Sequence, residues 1–287
     1  MKTLFTYCMA LMMTTGMISC KKTPDLAENP TSQPLELVNV SYGADAAQKM
    51  DVYLPAGRNT TDTKALILIH GGAWIGGDKA DMNDAVATLK TLLPDFAIFN
   101  INYRLAALPS NNLWPAQLND VNAAFDFIIN KSSNYTFNSS KIAIGGASAG
   151  AHLALLKAYK QNTGNIKAVV DMFGPTDMAD LYNKNSNYQP LLTIFMGGTP
   201  ATASATYTNA SPLFAVTPTS VPTIILHGTL DNVVPISESD SLNNRLINAG
   251  VAKQYEKYTG EGHGFWSTAN TADAMTKIAA FIKLHVK

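Results

Sequence analysis

Three side chains in this sequence have the types that acyl-transfer chemistry requires, each in a setting that could expose it. Ser148 stands in Gly146-Ala147-Ser148-Ala149-Gly150, a G-x-S-x-G stretch between the apolar run KIAIGG and the helix-forming run AHLALL. Small residues on both sides let strand and helix backbones close around a tight turn and leave the hydroxyl protruding. A helix starting there aims free N–H groups and the positive end of its dipole at the hydroxyl. Serine becomes a nucleophile only when a base takes its proton and a third group orients the base. His263 in GEGHGF and Asp231 in LHGTLDNVVP supply both, each just beyond a predicted strand.

Attack on a carbonyl also creates a negative oxygen that needs N–H donors. HGGAWIGGDK, directly after ALILI, offers successive N–H groups where glycines allow unusual dihedrals, and Gly72 and Ala73 are the candidates, with Ala149 beside the serine. The other histidines read differently. His70 and His152 are placed for packing or hydrogen bonding, His227 for bracing the acid loop, and His285 for an exposed position on a terminal helix. Asp177 in FGPTDM is a rival acid, or else a cap or turn residue. Asp78, Asp81 and Asp84 lack calcium-loop spacing and read as the start of a helix. No H-E-x-x-H, paired-cysteine, phosphate-loop or dinucleotide pattern occurs, so neither a metal nor a cofactor is expected.

These residues need elements to position them. Strands are predicted at 35–42, 48–55, 65–70, 96–102, 141–146, 166–173, 222–228 and 253–258, with a hairpin turn at GADAA between the first two. Four of the runs are almost continuously apolar, which indicates burial on both faces. Helices are predicted at 81–93, 115–130, 148–160, 236–249 and 271–285. Repeated strand-helix-strand units give an α/β fold, a mostly parallel central sheet with helices on both faces. In such a sheet the strand carboxyl ends share one edge, where Ser148, Asp231 and His263 can meet. The polar, Tyr- and Asn-rich stretch at 176–220 breaks the alternation and is expected to be a lid-like insertion, the alternative being a surface excursion without function.

With these stretches in place, the chain resembles the α/β-hydrolase superfamily, in particular carboxylesterases with an HGG-type loop. HGGAWIGGDK, INYRLA, WPAQLNDVNAAFDFI, GGASAGAHLALL, FGPTD, SPLFAV, PTIILHGTLDNVVP and GEGHGF match its characteristic stretches in order. The resemblance implies Ser148 as nucleophile, His263 as base, Asp231 as its orienter and oxyanion donors at Gly72, Ala73 and Ala149. It also implies bacterial esterases that remove acetyl or feruloyl groups from plant polysaccharides. Trp74, Trp114, Tyr182 and Trp266 are candidates for lining an acyl or sugar pocket, Trp74 and Trp266 foremost. The alternatives are a prolyl-oligopeptidase-like peptidase, an arylformamidase-like amidohydrolase and a non-catalytic binding protein. The first would call for a propeller or gating domain, and the last for loss of one of the three residues.

The 287 residues balance 21 Lys and Arg against 21 Asp and Glu, with no basic stripe, so no nucleic-acid partner is expected. Residues 1–19 have the layout of a secretory signal, too short in apolar residues to span a bilayer. Cys20 at the cleavage point resembles the lipidated first residue of bacterial lipoproteins, and 20–34 reads as a flexible tether before a catalytic domain at 35–287. An exported lipoprotein, periplasmic or outer-membrane associated and held to the membrane only by that anchor, is expected. Its partner is a small-molecule or polysaccharide ester.

Overall fold

The apolar runs KALILI and FAIFNI form β3 (Lys64–Ile69) and β4 (Phe96–Ile101), buried along almost their whole length. They lie inside an eight-stranded sheet with β1 (Leu35–Ser41), β2 (Lys49–Leu54), β5 (Ile142–Ala147), β6 (Ile166–Met172), β7 (Thr223–Gly228) and β8 (Lys253–Tyr258). The strand order is β1-β2-β4-β3-β5-β6-β7-β8. β1 and β2 pair antiparallel, as does β2 with β4, and every other pair is parallel. The computed structural model describes residues 30–264 and 267–287. The signal at 1–19, Cys20 and Trp266 lie outside the described residues.

Strand alternation divides the core in two. Ala65, Ile67 and Ile69 of β3 face one helical layer, and Leu66 and Leu68 face the other. The first layer holds α2 (Ala116–Asn130), α3 (Ser132–Tyr135), α4 (Ala149–Lys160) and α8 (Ser237–Asn248). The second holds α1 (Asn83–Leu92) and α9 (Thr268–His285), whose Ala274, Met275, Ile278, Ala279 and Ile282 form a buried stripe. His285 is half-buried against Phe281 rather than exposed, because its ring packs back on the preceding turn.

The stretch at 176–220 folds into α5 (Met178–Lys184), α6 (Gln189–Phe195) and α7 (Ser204–Ala210), with one 3-10 turn (Ser186–Tyr188) between α5 and α6 and another (Pro212–Ala215) after α7. Leu181, Leu192, Phe195 and Tyr207 are buried in the same core as α2 and α4. This cap is therefore continuous with the body rather than a loose excursion.

Candidate active site

The turn from β5 to α4 is as tight as its composition demands. A methyl group on Gly146 would lie 2.5 Å from Ile69 O, and one on Gly150 would lie 2.2 Å from the same oxygen. Only glycine lets β3 pass so close. Ser148 sits at the apex with φ 54° and ψ −121°, a conformation that L-residues avoid, and its N–H donates to Met172 O on β6 at 2.8 Å. Such strain persists only where surrounding structure fixes it, and here two neighbouring strands do.

The three residues meet at the strand carboxyl ends. Ser148 Oγ donates to His263 Nε2 at 2.9 Å, and His263 Nδ1 donates to Asp231 Oδ2 at 2.7 Å. Asp231 Oδ1 accepts from the N–H groups of Val233 and Val234 at 2.8 and 2.9 Å, which closes the loop after β7. Burial pushes the Asp231 carboxyl up. Hydrogen bonds from His227 and His263, the charge on His263 and the Val233 N–H outweigh that and hold it well below the usual carboxylate range. The ring of Phe173 meets His263 edge-on at 4.8 Å.

Beside the serine, the loop after β3 turns its carbonyls away. Gly72 O accepts from Ile75 N and Gly76 N, Trp74 O accepts from Ala106 N, and the Tyr103 hydroxyl reaches His70 O and Gly71 O. Gly72 has φ 108° and Ala73 φ 49°. Their N–H groups have no backbone acceptor among the described residues, and Ala149, as the first residue of α4, has none within its helix. Gly72, Ala73, Ser148 and His263 thus line one cleft, with Ala149 next to the serine in the chain, an arrangement that suits attack on a carbonyl.

A family model described as BD-FAE matches residues 50–246, which include Ser148 and Asp231. The chain belongs to the BD-FAE family. Among curated proteins, this BD-FAE chain is 27% identical over 260 residues to esterase LipC of Mycobacterium tuberculosis, covering 85% of the chain and 64% of LipC. It is 24% identical to isoprenylcysteine alpha-carbonyl methylesterase ICME of Arabidopsis thaliana, covering 78% of the chain and 56% of that protein. The chain thus spans less than two thirds of these relatives. A truncated carbohydrate esterase from gut microbiota is similar in structure, with TM-score 0.72, 27% identity, and coverage of 90% of this chain and 100% of that one. An esterase of Pyrobaculum calidifontis, at 20% identity and TM-score 0.71, covers 91% and 88%. That second likeness speaks for the α/β-hydrolase fold, which the sheet order bears out.

The cleft of this BD-FAE domain holds about 570 Å³ over Ser148 and His263. Gly72, Ala73, Asp81, Met82, Phe173, Tyr188 and Val233 are among the residues that line it. Met82 and Val233 carry no ionisable group, and nothing in their local sequence marks them as cleft residues, whereas Tyr188 comes from the Tyr-rich stretch at 176–220. Trp74 corrects the sequence reading. Positive φ at both Ala73 and Trp74 (64°) turns the indole inward, where it is 1% exposed, stacks on Phe195 at 5.3 Å and donates Nε1 to His152 Nδ1 at 3.3 Å. Trp114 and Tyr182 also pack against rings, of His152 and Tyr207 respectively, rather than lining the cleft.

The remaining candidates have structural partners. Asp177 caps α5 by accepting from Ala179 N and Asp180 N, the cap role weighed against an acid role. His70 stacks on Tyr103, and burial pushes its ring down. His152 donates to Ala210 O at 2.6 Å, and burial lowers it to about 4. Asp78 and Asp81 form a capping box at the 3-10 turn Lys79–Met82, just before α1. No group of three or more potential metal ligands gathers among the described residues.

Proposed function

We propose that this chain is a serine carboxylesterase acting on small acyl esters, with acetyl or feruloyl groups on plant polysaccharides as its substrate class. Ser148 Oγ attacks the ester carbonyl while His263 Nε2 takes its proton, and Asp231 steadies the imidazolium. The N–H groups of Gly72, Ala73 and Ala149 hold the tetrahedral oxyanion, each donor worth roughly 10²–10³ in rate. Collapse expels the alcohol, which takes the proton from His263 and leaves Ser148 acylated. Water then attacks with His263 as base, and the acid departs.

The observation that carries this reading is the 2.9 Å contact of Ser148 Oγ with His263 Nε2, whose Nδ1 is in turn held by Asp231 at 2.7 Å. Esterase and carbohydrate-esterase names among its relatives support it. Asp81 is the acidic side chain among the described residues lining the cleft, and no Lys or Arg is among them, which favours uncharged, hydroxyl-bearing alcohols over anionic ones.

Purified protein is expected to hydrolyse 4-nitrophenyl acetate and to release acetate or ferulate from substituted xylan. Ser148→Ala should lower kcat/KM on the aryl ester by on the order of 10⁴ or more. A Ser148→Ala variant that keeps wild-type turnover would refute the serine mechanism. Release from neither xylan would refute the substrate class alone.

A further inference from the structure

Asp231 touches a second imidazole that the acyl-transfer scheme does not use. His227, the penultimate residue of β7, is fully buried. Its Nε2 lies 3.1 Å from Asp231 Oδ2 and 2.9 Å from Val234 O, and its Nδ1 lies 2.7 Å from Ser239 Oγ. A backbone carbonyl and an ionised carboxylate both only accept, so the hydrogen between them sits on Nε2 and is shared by the two oxygens. Nδ1 is closed by the Ser239 hydroxyl from the first turn of α8. Ring orientation is thus fixed from three sides.

The carboxylate is correspondingly saturated. Oδ1 receives two backbone N–H groups, and Oδ2 receives His263 on one side and His227 on the other. A hydrogen bond to one lone pair draws charge from the other, so each imidazole tempers the hold of the carboxylate on its neighbour. We propose that His227 is a positioning residue for the reaction: its Nε2–H shares Asp231 Oδ2 with His263, fixing the carboxylate and moderating its grip on the base. The proposal rests on the serine esterase reading. An overly strong carboxylate would favour the imidazolium and slow its proton return to the leaving alcohol.

Other groups face this cluster from every neighbouring element. Asp171 on β6 and Asp240 on α8 interact with His227 through their charge, Tyr188 in the cap feels the charge of Asp231, and Ser148 and the Phe173 ring adjoin His263. None of these side chains is replaced in the variants below, and Ser239→Ala keeps His227 beside Asp171, so a limb that also moves in that variant reports on the His227 ring rather than on Asp171.

The test uses the full chain on 4-nitrophenyl acetate, after wild-type activity and its loss in Ser148→Ala have secured the serine mechanism. His227→Phe keeps a ring but removes both nitrogens. It is expected to lower kcat/KM at pH 8 by roughly tenfold. It should also move the acid limb of the kcat/KM profile upward by about half a pH unit, because Asp231 then gives its charge to His263 alone. His227→Gln returns an amide N–H near Nε2 and is expected to restore the wild-type limb, with rates within about threefold. Ser239→Ala leaves the ring but frees Nδ1, and should shift the limb part of the way. A folded His227→Phe protein with an unmoved acid limb, whatever its rate, overturns the proposal. So does a His227→Gln protein shifted as far as His227→Phe. If His227→Phe does not fold, an unmoved limb in Ser239→Ala overturns it.

Discussion

Gly72 is held in its place at the cleft without contributing a side chain. At φ 108° it occupies backbone space that only glycine enters freely, and a methyl group there would lie 2.1 Å from Gly76 O. Gly72→Ala must therefore swing the loop and misdirect the Gly72 and Ala73 N–H groups. Its kcat/KM is expected to fall on the order of 10²–10³, with a far-UV circular dichroism spectrum close to wild type. Ala73 already tolerates φ 49°, so Ala73→Gly should retain activity within about fivefold, since it releases only the left-handed penalty of about 1 kcal/mol. Equal losses in both variants would show that the loop's N–H groups do not bear on the reaction. Ser148, Asp231 and His263 were legible in the sequence because the reaction dictates their types and the strand ends dictate their places. Trp74 was not, since two positive φ angles decide which way its indole points, and no composition rule reports them.

Among the elements, the cap differs most from its sequence reading. The eight strands and five longer helices were readable to within two or three residues because apolar runs and 3.6-residue stripes accumulate over their length. α5, α6 and α7 have seven residues each, interrupted by Asn, Gly and Pro, too short for such a stripe to stand out. Nor is the cap poised like a free lid. Glu238 Oε2 in α8 accepts from Thr176 N at 2.8 Å and Asp177 N at 2.7 Å, and the Thr176 hydroxyl joins them. At the far end of α5, Asn185 Nδ2 donates to Val233 O at 2.8 Å, and Lys184 Nζ reaches Ser237 Oγ at 2.9 Å. Both ends of α5 are therefore fastened to the loop and helix that follow Asp231. Glu238→Ala would strip two buried N–H groups of their acceptor, at a cost of about 2–4 kcal/mol. Tm should fall by roughly 5–10 °C in a domain of this size, with Glu238→Gln, which keeps an acceptor oxygen, losing less than half as much. Thermal unfolding monitored by tryptophan fluorescence measures this. Equal losses in the two variants would mean that the accepting oxygen is not what secures the cap.

At the scale of the whole molecule, one sheet serves both stability and chemistry, and the two meet along β6 and β7. Asp171 lies in β6 with no exposed surface, one oxygen accepting from Gly174 N at 2.8 Å and the other without a partner among the described residues. Burial raises its carboxyl to about 7, against the Gly174 hydrogen bond and the charge of His227. The unfolded chain releases this proton near the ordinary carboxyl value of 3.8, so between that value and 7 the folded state binds more protons than the unfolded state. Stability must then fall as pH rises through that window and level off above it, by up to about 4 kcal/mol from this group. Glu238, raised by burial to about 7, adds a slope of the same sign, whereas Asp231 stays ionised across the window and adds none. Asp171→Asn replaces the titrating acid with a neutral group of the same shape and preserves an acceptor for Gly174. At pH 5 the two proteins should unfold at similar urea concentrations, since protonated Asp171 and Asn both present an unpartnered donor to the core. At pH 8 the variant should be the more stable by on the order of 2 kcal/mol, because wild type alone must then keep a charge in a fully buried site. Urea midpoints measured from pH 5 to 8 decide it: curves that stay parallel would mean that Asp171 does not change protonation on folding.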